Sequence, residues 1–228
     1  MTSSLRPNRK RSATSELPRG VDIPAVGEYM LRDTLKRNKI VDELENVNLA
    51  SKEDSWNFDV GELLRPTPFM LPGNDTRTDA NNLPSFDASD SLVVLCVLEQ
   101  LDIHIDLLCQ SLPTLASISP NIQVLILTRS IQTVLPLLES LPYSFPVVEA
   151  RGPPSSHFLR LGLLHPLGGG QHALDAIVLL DNKGRRRLVL PFGWGAGRHA
   201  RDLISGKIIQ HRFREVLEDS VRILESEK

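Results

Sequence analysis

The sequence predicts an α/β fold with a mixed central sheet, helices on both faces, and a helical and disordered N-terminal extension. Three observations support this prediction. Two buried-strand patterns are each followed by a helical pattern, two further strand patterns are separated by a short turn, and a long amphipathic pattern closes the chain. Strands joined through helices are typical of parallel pairs, whereas strands joined by a tight turn are antiparallel.

The composition is that of an ordinary soluble protein and disfavours several functional classes. The chain has 228 residues, of which 41% are hydrophobic and 24% charged, and its net charge is −2. This charge provides no general attraction to nucleic acid or to anionic membranes. Two cysteines make no disulfide framework, and the apolar runs are too short to span a membrane. We therefore expect a cytoplasmic protein in a reducing compartment, with no membrane or nucleic-acid partner.

The first segment is predicted to be a disordered basic tail over residues 1–20, because it is polar and has no apolar period. Its basic run at 6–11 is most simply a solvated stretch. The alternatives are a nuclear import signal, which would make the protein nuclear, or an arm that contacts phosphates.

An N-terminal extension is predicted over residues 21–90, before a domain at 91–228. The extension contains an amphipathic helical pattern at 26–47 and a Pro-, Asn- and Asp-rich linker at 65–90. A short strand between them is indicated by alternating apolar residues: Trp56, Phe58 and Val60.

From residue 91 onwards the pattern alternates between strands and helices. The run LVVLCVL (92–98) is typical of a central strand covered on both faces. Asp102 can cap the helix that follows, and Pro113 is expected to kink or shorten it. The predicted apolar face of this helix consists of Ile103, Leu107, Leu108 and Leu112. A second buried strand, IQVLILT (122–128), precedes a short helix at 131–141.

The remaining elements complete the predicted topology. FPVVEA (145–150) is a third strand or strand edge, and AIVLLD (176–181) forms a β-hairpin with RRLVLPF (186–192). A long amphipathic helix follows at 201–225. Its predicted apolar face consists of Ile204, Ile208, Ile209, Phe213, Val216, Leu217 and Leu224. Two strand–helix units followed by a hairpin and a closing helix make a thioredoxin-like arrangement.

Four stretches carry a family resemblance: LVVLCVL, NIQVLILT, SFPVVEARGPPSSHFLRLGLLHPLGG and ALDAIVLLDNKGRRRLVLPFGWGAG. With them, the chain from about residue 91 to 200 resembles the peroxiredoxin-like branch of the alkyl hydroperoxide reductase/thiol-specific antioxidant family. The resemblance implies a thioredoxin-like fold and thiol-dependent antioxidant activity. It also implies a reactive cysteine just after the first strand, but Leu101–Ile105 stands there and contains none. Leu174-Asp175 likewise replaces the proline that thioredoxins place before their third core strand.

Neither cysteine lies where a thiol is normally activated. A helix N-terminus lowers the pKa of a thiol, but Cys109 lies roughly two turns beyond Asp102, where this effect has faded. Cys96 lies within a buried strand, where an apolar environment raises the pKa. The favoured interpretation is a protein that has lost thiol catalysis and acts by binding a partner or ligand. An oxidoreductase using Cys109 is the alternative, and a Cys96–Cys109 disulfide stays open.

A second alternative is a non-redox enzyme that reuses the pocket of the fold. His104, with Asp102 and Glu99, occupies the region of the missing cysteine and could act in acid–base catalysis, although an exposed helix start is the commoner arrangement. The glycine-rich stretch at 193–197 lacks the third glycine of a dinucleotide fingerprint and is more simply a turn. As a possible anion site, it supplies the candidate ligand-binding residues Trp194, Gly195, Arg198 and His199.

No cofactor and no metal are expected. His165, His172 and Asp175 fit no recognised metal-ligand spacing. The arginine triplet at 185–187 is predicted to be a solvated hairpin edge that discourages edge pairing. The predicted partner is another protein or a second copy of the chain, bound through the apolar helix faces of 26–47 and 201–225.

Overall fold

The computed structural model describes residues 47–61, 69–70, 78–79, 91–99, 103–150, 156–164, 172–191 and 204–228. The strands in these ranges are β1 (Trp56–Asn57), β2 (Phe69–Met70), β3 (Thr78–Asp79), β4 (Val93–Leu98), β5 (Gln123–Thr128), β6 (Tyr143–Ser144), β7 (Pro146–Glu149), β8 (Ala176–Leu180) and β9 (Arg185–Pro191). The helices are α1 (Ile103–Ile118), α2 (Ile131–Glu139), α3 (Ser156–Arg160) and α4 (Ile204–Ser226). None of these helices is long and apolar enough to cross a membrane.

Seven of the described strands form one mixed sheet in the order β1-β9-β8-β4-β5-β7-β2. β4, β5 and β7 are parallel, whereas β8 is antiparallel to β4 and β9 is antiparallel to β8. The two edge strands, β1 and β2, are each antiparallel to their neighbour. β3 and β6 form a separate parallel pair.

The central strands establish the fold class. β4, α1 and β5 make a parallel β-α-β unit, and the hairpin β8–β9 adds to the free side of β4 before α4 packs against α1. The strand order β5-β4-β8-β9, in which β8 alone is antiparallel to the other three strands, defines a thioredoxin-like fold. The chain has that fold. The predicted α/β class and mixed sheet are confirmed.

Both faces of the sheet are covered, because residues alternate between faces along each strand. On one face, β4 contributes Val94, Cys96 and Leu98 to a core completed by α1, α2 and α4. On the other face, β4 contributes Val93, Leu95 and Val97 to a core that also includes residues of α3 and of the segment around β1. The large side chains from outside the sheet on this second face are Phe58, Val60, Phe158, Leu161 and Leu163.

The helices follow the predicted patterns with three differences. Pro113 was expected to kink or shorten α1, and it does not shorten it, because the helix spans 16 residues with the proline inside it. Pro113 lies on the exposed side of the helix, while Leu112 and Leu115 beside it are buried. The free energy gained by burying those neighbours exceeds the free energy lost because the proline cannot donate a backbone hydrogen bond. α2 ends two residues earlier than predicted, at Glu139.

The third difference concerns α4, whose buried apolar face extends from Phe213 to Leu224 among the residues for which burial is described. Phe213, Leu217, Val221 and Leu224 are buried against α1 and the sheet. Ile208, which was predicted to share this face, is exposed. It lies on the opposite side of the helix from Phe213 and Leu217, so the extended apolar face is wrong at this residue.

The segment before the predicted domain is attached to the sheet through β9. The Ala50 N–H donates to the carbonyl of Arg187, and the Phe58 N–H donates to that of Gly184. Gly184 has φ of +71°, and a Cβ there would lie 2.6 Å from the Phe58 carbonyl oxygen, so glycine is required in this turn.

The predicted strand around residue 56 is confirmed only for Trp56–Asn57. The division at residue 91 stays a prediction, although β1 and β2 precede it and belong to the same sheet. The tail at 1–20, all but the last residue of the helix at 26–47, and most of the linker at 65–90 lie outside the described residues.

Candidate functional site

Polar residues from three strands meet at one edge of the sheet. The carboxyl ends of the parallel strands β4 and β5 lie side by side, and open α/β sheets bind ligands at such edges. Glu99 directly follows β4, and Arg129 directly follows β5. Because β8 is antiparallel to β4, the residues before β8 reach the same edge, and these include His172 and Asp175. We call these four residues the Glu99 cluster.

Glu99 is the centre of this cluster. Its Oε1 lies 2.8 Å from Arg129 Nη1 and 3.5 Å from His172 Nδ1. Its backbone N–H donates to Asp175 Oδ1 at 2.7 Å, which joins the end of β4 to the start of β8. The Glu99 side chain is 9% exposed and that of His172 is 43% exposed. The carboxylate is thus shielded, while the imidazole is open to a molecule arriving from solvent.

His104, near the start of α1, lies beneath this edge rather than on it. Its side chain is fully buried, and its Nε2 lies 2.7 Å from the carbonyl oxygen of Val97. A carbonyl can only accept, so Nε2 carries the hydrogen. The predicted exposed helix start is therefore wrong at His104. The apolar residues Ile103 and Ile105 on either side are also buried and draw this part of the helix into the core.

The two cysteines lie in the core between the sheet and its helices. Both are free thiols, and Cys109 is 7% exposed while Cys96 is fully buried. Burial, with a smaller contribution from Asp106, raises the pKa of the Cys109 thiol to about 12. Burial also raises the pKa of Cys96 well above its usual value, with smaller contributions from Cys109 and Asp175. Since α1 begins at Ile103, neither sulfur lies at the start of this helix.

Several predicted site residues lie outside the described residues. They are Asp102, His165, Trp194, Gly195, Arg198 and His199, and their roles stay predictions. The described residues contain no group of three or more His, Cys, Asp or Glu side chains placed to hold a metal ion.

The arginine triplet of β9 was predicted to be a solvated edge, and this prediction is wrong. Arg187 is buried, and its guanidinium donates to both carboxylate oxygens of Glu227 at 2.8 and 3.2 Å. Its Nε also donates to the Ala50 carbonyl at 2.7 Å. Arg185 forms a 2.8 Å ion pair with Asp181 across the hairpin turn. These contacts tie the N-terminal segment and the end of α4 to β9, which is covered by β1.

Sequence comparison finds a relative that is named for a binding function. Uba3-binding protein but1 of Schizosaccharomyces pombe (strain 972 / ATCC 24843) is 33% identical to this chain over 97 residues. The match covers 41% of this chain and 39% of the relative, so it spans less than half the length of that protein. No family model matches the chain.

Structural comparison finds thiol peroxidases at low similarity. The mitochondrial 2-Cys peroxiredoxin of Plasmodium falciparum is 14% identical, with 67% of this chain and 92% of that chain covered and a TM-score of 0.38. Thioredoxin peroxidase I of Plasmodium yoelii is 18% identical, with 63% of this chain and 79% of that chain covered and a TM-score of 0.42. The thiol peroxidase of Chromobacterium violaceum is 19% identical, with 76% of this chain and 93% of that chain covered and a TM-score of 0.37. The fold assignment therefore rests on the strand order of this chain and not on these scores.

Proposed function

We propose that this chain is a thioredoxin-fold protein that acts by binding a protein partner rather than by thiol catalysis. The observation that carries the proposal is the state of its two thiols, which are both buried and have raised pKa values. The partner we propose is Uba3, because the relative that is 33% identical over 97 residues is named for binding it.

The chemistry of sulfur explains why the thiols support a non-catalytic role. The thiolate is the attacking species in peroxide reduction and in disulfide exchange. With a pKa of about 12, Cys109 is ionised at pH 7 in only about one molecule in 100,000. The position that active relatives are expected to fill with cysteine is occupied by Leu101–Ile105. We infer that the catalytic sulfur has been lost and that no other sulfur replaces it.

The test uses the purified full chain with purified Uba3 of Schizosaccharomyces pombe in isothermal titration calorimetry. A complex is expected, and its dissociation constant should be unchanged in the Cys109→Ala variant, since binding needs no thiol. A parallel assay of hydrogen peroxide consumption with dithiothreitol as reductant should show no turnover. The proposal fails if no complex forms, or if the chain consumes peroxide and Cys109→Ala abolishes this activity.

A second candidate function is a non-redox enzyme, favoured by the 3.5 Å approach of His172 to Glu99. An exposed imidazole beside a shielded carboxylate is an arrangement suited to general acid–base catalysis. A screen of metabolite classes by thermal shift tests this candidate. A class that raises the melting temperature of the wild type but not of His172→Ala would support it, and no shift with any class would weigh against it.

A further inference from the structure

Two large apolar side chains are exposed close to the β1 edge of the sheet. Trp56 is 50% exposed and lies in β1, while Leu159 is 56% exposed and lies in α3. In the β1–β9 pair, Trp56 lies directly opposite Arg186. We call Trp56, Leu159 and Arg186 the Trp56 patch.

The turn after α3, which begins two residues beyond Leu159, contacts Arg186 and lies beside Trp56. The Arg186 guanidinium stacks on the Trp56 ring, with its carbon 5.0 Å from the ring centroid, and donates a hydrogen bond to the carbonyl of Leu161. Gly162, with φ of +67°, lies so close to both side chains that a Cβ there would be 3.8 Å from Trp56 Cζ3. The Gly162 N–H donates to the carbonyl of Leu159 at 3.0 Å within the turn, and the bond from Arg186 to Leu161 links this turn to the strand edge.

Arg186 differs from its neighbours in its charge environment. Arg185 and Arg187 pair with Asp181 and Glu227, whereas no carboxylate among the described residues pairs with Arg186. Its hydrogen-bond acceptor is a neutral carbonyl and its other neighbour is an aromatic ring. Partial burial lowers the pKa of this guanidinium, although arginine stays protonated in proteins. The patch thus holds a partly desolvated positive charge that a carboxylate would neutralise.

We propose that the Trp56 patch binds a segment of the partner protein that carries a carboxylate beside an apolar side chain; this inference rests on the proposed function. The carboxylate pairs with Arg186, and the apolar side chain packs on Trp56 and Leu159. Tryptophan and arginine are enriched among the residues that contribute most to protein–protein binding energy. A guanidinium already stacked on a ring is also pre-ordered to receive a carboxylate in two parallel hydrogen bonds.

The test compares the affinity of purified Uba3 for the wild-type chain and for Leu159→Asp and Arg186→Gln. Leu159 is exposed, so an aspartate there leaves the fold intact while repelling an incoming carboxylate. We expect both variants to weaken binding by about 30-fold or more, the range of a central interface residue. The matched control is Ile223→Asp, an exposed apolar residue of α4, for which we expect less than about a threefold change.

The dependence of binding on ionic strength provides an independent measurement, and melting curves check that the variants fold. Wild-type affinity should fall as salt is raised, and the fall should be smaller for Arg186→Gln. Circular dichroism melting curves show whether each variant folds. If Arg186→Gln does not fold, Leu159→Asp carries the test alone.

The possible results separate the two proposals. Wild-type binding that Leu159→Asp leaves unchanged would overturn the Trp56 patch but not the partner-binding function. A wild-type dimer in light scattering that Leu159→Asp dissociates would assign the patch to a second copy of the chain and would also overturn it. No wild-type complex with Uba3 would overturn both proposals.

Discussion

Cys109 lies in the core with its sulfur shielded by α1 and the sheet, and we predict that it does not react in the folded protein. At pH 8, a pKa of about 12 leaves about one thiol in ten thousand ionised. Titration with 5,5′-dithiobis(2-nitrobenzoic acid) should detect no fast-reacting sulfur in the native chain and two in guanidinium chloride. Cys109→Ser should leave one reactive sulfur under denaturing conditions. One fast-reacting sulfur in the native wild type would contradict this prediction.

The buried imidazole of His104 is expected to contribute to stability through packing and its bond to Val97. His104→Ala removes a buried ring and leaves the Val97 carbonyl without this donor, so we expect a loss of about 3 kcal/mol in the free energy of unfolding. The loss is measured by urea denaturation. Gln110→Ala, at an exposed position of the same helix, should change stability by less than about 0.5 kcal/mol. Similar losses in the two variants would refute a specific role for His104.

At the scale of residues, the sequence predicts chemistry less well than it predicts burial of apolar side chains. The two cysteines were expected to be inert and buried, Cys96 because it lies within a buried strand and Cys109 because cysteine is commonly buried. The burial of Arg187 was not visible, since its partner Glu227 lies 40 residues away and in another element. Likewise, His172 was singled out with His165 and Asp175 as a weak metal pattern, whereas the folded chain places it beside Glu99.

At the scale of elements, the central strands were predictable because their apolar runs are continuous and end at turn residues. The β8–β9 hairpin follows from its short turn, which leaves no room for a parallel crossover. β1 was only partly predictable, because a two-residue strand has too little pattern and depends on pairing with β9. The continuation of α1 through Pro113 depends on burial of the neighbouring residues Leu112 and Leu115, which local sequence does not encode.

The junction between α4 and β9 is expected to weaken in acid. The hydrogen bond from Arg187 lowers the pKa of the Glu227 carboxyl in the folded state. A lowered folded pKa stabilises the fold above the unfolded value of about 4.3 and loses this effect as the pH falls through the folded pKa. The difference in unfolding free energy between wild type and Glu227→Gln should therefore be largest near pH 7 and shrink below about pH 4.

This pH dependence is measured by urea denaturation at a series of pH values. Glu53→Gln, at an exposed residue of the N-terminal segment, serves as the matched control. If the difference in unfolding free energy between wild type and Glu227→Gln stays constant from pH 7 to pH 3, the ionised Glu227 carboxylate does not stabilise this junction.

At the scale of the whole molecule, we predict that the segment before residue 91 is required for stability. Phe58 and Val60 are buried on the second face of the sheet, so a chain of residues 91–228 would expose that face to water. In the full chain, Phe58→Ala should cost roughly 3–5 kcal/mol in the free energy of unfolding, whereas the exposed Asn57→Ala should change little. Denaturation of both variants and of the shortened chain measures this. A shortened chain that unfolds with wild-type stability would instead support residue 91 as a domain boundary.

The overall topology was predictable because the order of strand and helix patterns leaves few arrangements compatible with right-handed crossovers. The attachment of residues 47–61 was not, since its contacts join positions more than 100 residues apart. Sequence periodicity describes neighbours along the chain, whereas this segment is held by backbone bonds to Arg187 and Gly184.

The bond between Ala50 and Arg187, which are 137 residues apart, also has a consequence for biosynthesis. A ribosome adding roughly 5–20 residues per second leaves an interval of roughly 7 to 27 s between the two residues. Throughout that time the nascent chain carries Phe58 and Val60 without the hairpin that anchors this segment. Residues 47–61 are thus translated before the hairpin and can be anchored only after it has been made.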